Sequence, residues 1–565
     1  MKKDNSPQFD AIVVGSGMSG GWAAKELTER GFKTLLLERG RDVEHSTDYI
    51  GENLDPWEMK FRDKVDRKLA NAEYPIQKKC YAFKDSTKHF FVKDYEHPYT
   101  TDDDKPFTWI RGFHKGGKSL LWHRQSYRMS EMDFQANAMD GYGSDWPIRY
   151  KDLEKWYDHV EIFAGISGSS EGLPQLPDSQ FQPPIEMNCV EKDLKKQFET
   201  LYDDRKLIIG RCAHLTEPTE EQLDLGRGRC QSRNQCQRGC SFGAYFSSQS
   251  ATLPAAERTG NLTTLTDSIV HSVIYDPTTG KATGVRVIDR LTMERREYHA
   301  RVIFLCASTI GTTHLMLNST SETFQNGFAN SSGALGHYLM DHTSIIGAQA
   351  RIKGFEDSYY YGRRPTGIYM PRFKNLRSQD AGFLRGYAFQ GGTFRQGWRS
   401  TTSKPGLGED YKNSIRTPGP WTLYLEGYGE MLPEWHNTVS LNPNKKDKWG
   451  MPIPHINCTL SDNDHKMRDD ILVTVTEMME AAGLKDIQTF QESDVAGMAI
   501  HEMGTARMGT DPKTSVLNGY NQCYDAPNVF VTDGSCMASV ACQNPSLTFM
   551  AITARAAHYA ADQMQ

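Results

Sequence analysis

The sequence predicts an α/β protein in which a Rossmann-like dinucleotide-binding domain is joined to an α+β domain built on an antiparallel sheet. Three observations lead there: a glycine-rich turn directly after the first apolar run, a C-terminal end that reads as loop, strand and closing helix, and a middle in which aromatic-rich strands alternate with turns.

The first element is Asp10-Ala11-Ile12-Val13-Val14, a continuous apolar run. Gly15, Ser16, Gly17, Met18, Ser19 and Gly20 follow at once, then Trp22-Ala23-Ala24-Lys25-Glu26-Leu27 at helical spacing. G-x-G-x-x-G gains its meaning from this strand-turn-helix setting. The glycines permit the tight turn and let a pyrophosphate approach the helix N-terminus, where unpaired N–H groups and the dipole favour negative charge. The next strand, from Lys33 to Leu37, ends in Glu38, about 20 residues past the turn, where a carboxylate can accept ribose hydroxyls. Arg39 and Gly40 follow. The competing reading is a glycine-rich turn in some other α/β unit, and the strand, helix and acidic end together count against it. NAD and FAD both satisfy this motif.

In the middle, Trp421-Thr422-Leu423-Tyr424-Leu425-Glu426 and Thr438-Val439-Ser440-Leu441 suit an antiparallel sheet. At the end, a strand at Asn528 to Val531 precedes a helix opening at Pro545, which is pre-organised for a first helical position. Both ends of the chain therefore belong to one domain.

Composition sets the limits. At 565 residues, with 38% hydrophobic and 24% charged residues, the chain is an ordinary globular body of several domain-sized units. Lys and Arg total 65 against 71 Asp and Glu, with no long single-sign run, which excludes a nucleic-acid or anionic-membrane surface. No apolar run reaches the ~20 residues that span a bilayer. The polar start, Met1 to Asp10, runs straight into a strand, so no signal peptide is expected and the cytoplasm is the default compartment. Eleven cysteines favour thiols or metal ligands over a disulfide framework. Cys230, Cys236 and Cys240 share one short segment rich in Arg, Gln and Asn, a spacing that can wrap an inorganic centre. A structural zinc completed by His214 or Cys212, and three unligated thiols, are the alternatives. Cys306, Cys536 and Cys542 read as buried thiols.

Three ordered C-terminal motifs carry a family resemblance. His501-Glu502-Met503-Gly504-Thr505-Ala506-Arg507-Met508-Gly509, Asn528-Val529-Phe530-Val531-Thr532-Asp533-Gly534-Ser535 and Asn544-Pro545-Ser546-Leu547-Thr548 resemble the catalytic segment, the second flavin-binding strand and the N-P-x-x-T element of the glucose–methanol–choline (GMC) oxidoreductases. Earlier, Arg111-Gly112 with Gly116-Gly117-Lys118-Ser119, then Asp145-Trp146-Pro147-Ile148, then Leu335-Gly336-His337-Tyr338-Leu339-Met340-Asp341-His342 resemble further segments of that family. Within it the chain is similar to bacterial sugar dehydrogenases acting on glucosides, glucose or gluconate.

The resemblance implies a discontinuous FAD-binding domain over 1–45, 105–130, 225–345 and 500–565, and a substrate domain over 46–104, 131–224 and 346–499. It implies non-covalent FAD, because Leu121 stands where related pyranose oxidases carry a flavin-linking histidine; His123 is nearby. The expected cofactor residues are Gly15, Ser16, Gly17, Met18, Ser19, Gly20, Glu38, Arg39, Arg111, Gly116, Gly117, Ser119, Asp533, Gly534, Asn544, Pro545 and Thr548. His501 is the expected base and Asn544 the expected hydrogen-bonding partner of the substrate oxygen. A hydrogen-bonded structural histidine and a helix-capping Asn are the plainer readings of these two. Cys230, Cys236 and Cys240 resemble ligands of a [3Fe–4S] cluster, with Cys212 leaving a four-iron cluster open.

The implied function is oxidation of a ring hydroxyl of a sugar or glucoside, to a 3-keto glycoside, with electrons leaving through the cluster. A gluconate or other sugar dehydrogenase, an oxygen-using sugar oxidase and a non-catalytic flavoprotein scaffold or redox sensor are the alternatives. Implied partners are a small export subunit, on which a folded chain can reach the periplasm, and a cytochrome. Trp109, Trp122, Tyr359, Tyr360, Tyr361, Trp398, Trp421, Tyr424 and Trp435 are read first as packing residues rather than sugar platforms. The tract from Lys353 to Gly408 reads as a lid or a partner surface.

Overall fold

In the computed structural model, which describes residues 8–565 apart from 56, 360–366, 379, 396, 398–405, 417 and 493, the apolar run becomes the strand Phe9–Val14, central in an eight-stranded sheet. Its parallel neighbours are Thr34–Leu37, through Ile12 opposite Leu35, and the far half of Arg295–Leu305, through Ile12 opposite Ile303. Leu262–Leu265 and Ala526–Val531 extend the parallel set outward. Strands covered on both faces need near-continuous apolar sequence, which explains why residues 10–14 carry no alternation. Arg295–Leu305 serves two pairings: its first half runs antiparallel to Lys281–Asp289, and its second half is parallel to the central strand. Its exposure follows, with charged, exposed residues first and buried Val302 to Leu305 last.

A second, seven-stranded antiparallel sheet is built around Trp421–Glu430, flanked by Tyr387–Arg395 and Ile346–Ile352. Helix Asp462–Ala481 buries Met467, Ile471, Val475 and Met478 against it. Thr438–Lys446 instead pairs with Pro452–Asn457 in a separate two-stranded sheet. Trp421 is core, Tyr424 stacks on Phe490, and Trp435 lies 3.6 Å over His337. Tyr360, Tyr361 and Trp398 lie outside the described residues, as does part of the tract expected as a lid. Among the described residues no helix is long and apolar enough to cross a membrane.

The parallel strands position the site. Val14, Leu305 and Val531 end beside one another and lead into Gly15, Cys306 and Asp533, which line a single large cavity. In open α/β sheets, ligands bind at this carboxyl edge.

Candidate active site

The glycine turn is shaped by sterics. Gly15 has φ +94°, and a Cβ there would lie 2.4 Å from the carbonyl oxygen of Cys306; one on Gly20 would lie 1.8 Å from that of Gly15. Gly17 differs, because a Cβ built on it meets nothing closer than 4.0 Å, so its Cα face is open. It begins helix Met18–Glu29 with no side-chain cap, leaving the first N–H groups to a ligand. Gly20 thus serves packing, and Gly15, Ser16, Gly17, Met18 and Ser19 border the cavity.

A second glycine loop is tied to this turn. Gly116, φ +85°, donates its N–H to Ser16 Oγ at 2.9 Å. Ser119 Oγ donates to the Gly116 carbonyl at 2.6 Å and accepts from Ser248 N at 3.0 Å. Gly117 and Ser119 line the cavity, whereas Gly116 packs on Gln249. Glu38 is at the cavity wall, with one oxygen accepting from Ser16 N and Ser16 Oγ and the other from Gly40 N at 2.8 Å. Of the expected ribose clamp, one lone pair on that second oxygen is left. Burial raises the Glu38 pKa, and its three donors oppose that.

Arg39, Arg111 and Asp533 line the cavity and are also held by protein partners. Arg111 pairs with Asp94 at 2.8 Å and donates to the His97 carbonyl at 2.5 Å. Arg39 stacks 4.1 Å over Phe113. The Asp533 carboxylate accepts from Ser535 N at 3.0 Å and Thr312 Oγ1 at 2.5 Å, fixing the turn in which Gly534 meets the cavity. Thr548 is displaced from its expected role: it is fully buried, its hydroxyl pairs with Tyr157 at 2.8 Å, and it is absent from the cavity wall. One helical turn past Asn544, its side chain faces the core. Pro545 is the N-cap of helix Ser546–Met564, one position before the first helical residue.

His501 and Asn544 meet at the cavity wall, Nε2 to Nδ2, at 3.4 Å. Asn544 Oδ1 accepts from Gln390 Nε2 at 2.6 Å, so its side chain does not cap the helix. Burial pushes the His501 pKa well below its usual value, with His342, Lys118 and His123 adding to the shift. A neutral imidazole is what a base requires. The His501 N–H donates to Asp341 Oδ1 at 3.0 Å, while Asp341 Oδ2 accepts from Gly497 N and Ala499 N, so a single carboxylate sets the loop that presents the histidine. Ile500, at φ +63°, completes that bend.

Asp341, His342, Gln390, Tyr428 and the Lys118–Glu502 ion pair of 2.9 Å also belong to this corner, and sequence reasoning missed their roles. Asp341, His342 and Lys118 stood inside quoted motifs; nothing in the sequence marks Gln390.

Cys230, Cys236 and Cys240 lie half-buried away from the cavity wall. Cys236 Sγ is 3.6 Å from His214 Nε2, and Arg233 Nη2 is 3.9 Å from Cys240 Sγ. Among the described residues, no third ligand joins the Cys236–His214 pair within 4.8 Å. A four-ligand zinc site is therefore not assembled among the described residues. Arg124 Nη2 donates to the Cys236 and Leu120 carbonyls, both at 2.9 Å, joining the cysteine segment to the second glycine loop.

Models of the GMC oxidoreductase family match residues 9–344 and 433–553. 2-Methyl-1,2-propanediol dehydrogenase of Mycolicibacterium austroafricanum is 27% identical, over 98% of this chain and 95% of that one. The fructose dehydrogenase large subunit of Gluconobacter japonicus is 23% identical, with 97% of each covered. The crystal structure of pyridoxine 4-oxidase from Mesorbium loti shares the fold, with TM-score 0.59 and 16% identity over 97% of this chain and 98% of that one. With the open glycine turn, the carboxyl edge of the parallel sheet and the half-buried His501 in one cavity, the chain belongs to the GMC oxidoreductase family and is an FAD-type enzyme acting on CH–OH groups.

Proposed function

We propose that this enzyme oxidises a ring hydroxyl of a sugar or glucoside to a ketone, a 3-keto glycoside being the favoured product, and that electrons leave through an iron–sulfur cluster to an external acceptor. The observation that carries the reading is the meeting of His501 and Asn544 on the wall of the cavity that Gly17 opens into. His501 Nε2 takes the hydroxyl proton, and the Asn544 amide holds the substrate oxygen so that the C–H bond is presented to the cofactor. Gly17, Met18 and Ser19 would hold the pyrophosphate, Glu38 the ribose, and the amino end of helix Ser546–Met564 the flavin ring, which its dipole favours when anionic. FAD, when bound, supplies the hydride acceptor, and a cluster on Cys230, Cys236 and Cys240 supplies single-electron storage.

Support for the sugar comes from the fructose dehydrogenase relative, whose name, a large subunit, also favours partner subunits here; a small export subunit and a cytochrome are the partners we propose. The Arg124 bridge from Cys236 to the glycine loop supports the cysteine segment as the electron exit. Leu121 at the linking position supports non-covalent FAD, which acid precipitation should release. The test is an anaerobic absorbance spectrum before and after a simple glucoside, with iron and sulfide analysis. Bleaching of the flavin bands with about three irons per chain is expected. Bleaching without iron replaces the cluster reading with an oxygen-using oxidase, and a flavin bleached by simple diols but by no sugar overturns the substrate class.

A further inference from the structure

The hydrogen bonds around His501 determine which of its nitrogens carries the proton. Gln390 Nε2 donates to Asn544 Oδ1, so Asn544 turns its Nδ2 hydrogens toward His501 Nε2. An N–H donor faces a lone pair, so this amide orientation points to a bare Nε2 and a proton on Nδ1 in the neutral ring. His501 Nδ1 lies 3.1 Å from His342 Nδ1. By the same logic His501 donates, His342 accepts, and the His342 proton falls on its own Nε2, a buried atom that makes no hydrogen bond among the described residues.

His342 is suited to that task. It is 3% exposed, and burial pushes its pKa down to about 3, so the ring is neutral and its Nδ1 lone pair available. It stands on a short strand paired with Glu430 at the end of the long strand of the antiparallel sheet. The two imidazoles meet edge-on, with centroids 4.9 Å apart at 79°, and the Tyr428 ring lies 6.1 Å from His501 and 6.2 Å from His342.

We propose that His342 is the positioning residue of the proton-accepting step, an inference that rests on reading His501 as the base. It holds His501 in the one neutral tautomer whose Nε2 lone pair faces the substrate. The hydroxyl proton then moves onto Nε2, the O–H bond breaks, and its electron pair stays on the substrate oxygen. His501 now carries both ring protons, and its Nδ1–H to His342 becomes a charge-assisted bond, stronger than before the transfer. The stabilisation thus grows as charge develops, which is the condition for lowering a barrier.

The first test needs no substrate. In [15N]histidine-labelled holoenzyme, with His501→Gln used to assign the signal, His501 should show a protonated Nδ1 and a bare Nε2 near neutral pH; the reverse pattern overturns the proposal. The second test compares two variants that keep FAD. His342→Phe removes the acceptor and should slow flavin reduction by about 100-fold, leave substrate affinity unchanged, and bring out a solvent deuterium isotope effect. His342→Asn, whose Oδ1 stands where Nδ1 was, should recover to within about tenfold of the wild type. Equal losses in the two variants overturn the positioning role. Should His342→Phe fail to fold, the wild-type spectrum and the His342→Asn rate still decide. The tautomer is read whether or not any sugar reduces the enzyme, so failure of the substrate reading and failure of this inference remain distinct.

Discussion

The glycine turn and the corner around His501 line the same cavity and are built in opposite ways. The turn is a local steric device: Gly20 packs on Gly15, and Gly15 fits under the end of the neighbouring strand at Cys306. The corner is assembled from a distance. His501 leans on His342, 159 positions away, on Asp341 at 160 and on Asn544 at 43, and Asn544 is itself oriented by Gln390, 154 positions off. The turn is thus written into one short segment of backbone, whereas the corner depends on distant segments arriving in register.

Mutations should separate the two. His501→Ala is expected to lower flavin reduction by alcohol about 10²–10⁴-fold, the usual worth of a general base, while the FAD absorbance is retained. Loss of FAD in stopped-flow preparations of this variant would mean that the corner also builds the cofactor site. Acid should attack the buried histidines and leave the steric turn intact. His314 and His342 have pKa values pushed down by burial to about 4 and about 3. Each binds a proton readily only in the unfolded chain, so their contribution is fully present above about pH 6.5 and is lost as pH falls toward the folded values. At pH 5 the two together should cost about 4 kcal/mol, read as a lowered midpoint in urea titrations; an unchanged midpoint would show that neither ring is held neutral. Gly15→Ala carries the smallest effect, about 3 kcal/mol, from its left-handed φ and the close Cys306 carbonyl. It should appear as lower FAD content and thermal stability, with the chemical rate per bound flavin unchanged; a slowed rate per flavin would couple the turn to the corner.

Legibility divides along the same line. The strand-turn-helix at residues 9–29, the strand Ala526–Val531 and the last helix stand close to where the apolar runs, glycines and proline placed them. Local patterns place such elements because backbone geometry and burial act within a few residues. Side-chain commitments were less legible. Glu38 binds Ser16 and Gly40, Arg111 pairs with Asp94, and Thr548 turns to Tyr157. Thr548 is wholly taken by a protein group, while Glu38 and Arg111 divide their side chains between protein partners and the cavity wall.

What the amino-acid sequence determined by itself is the α/β class, the turn that admits a dinucleotide and the pair, His501 and Asn544, to which chemistry is assigned. Only the tertiary structure decided that Gln390 turns the Asn544 amide, that His342 stands against His501 Nδ1 and that Asp341 bends the loop beneath His501. The reason is physical: steric permission at a glycine is a property of neighbouring atoms along the chain, while the direction of a hydrogen bond is settled only when donor and acceptor from separate strands and loops face each other in a water-poor interior.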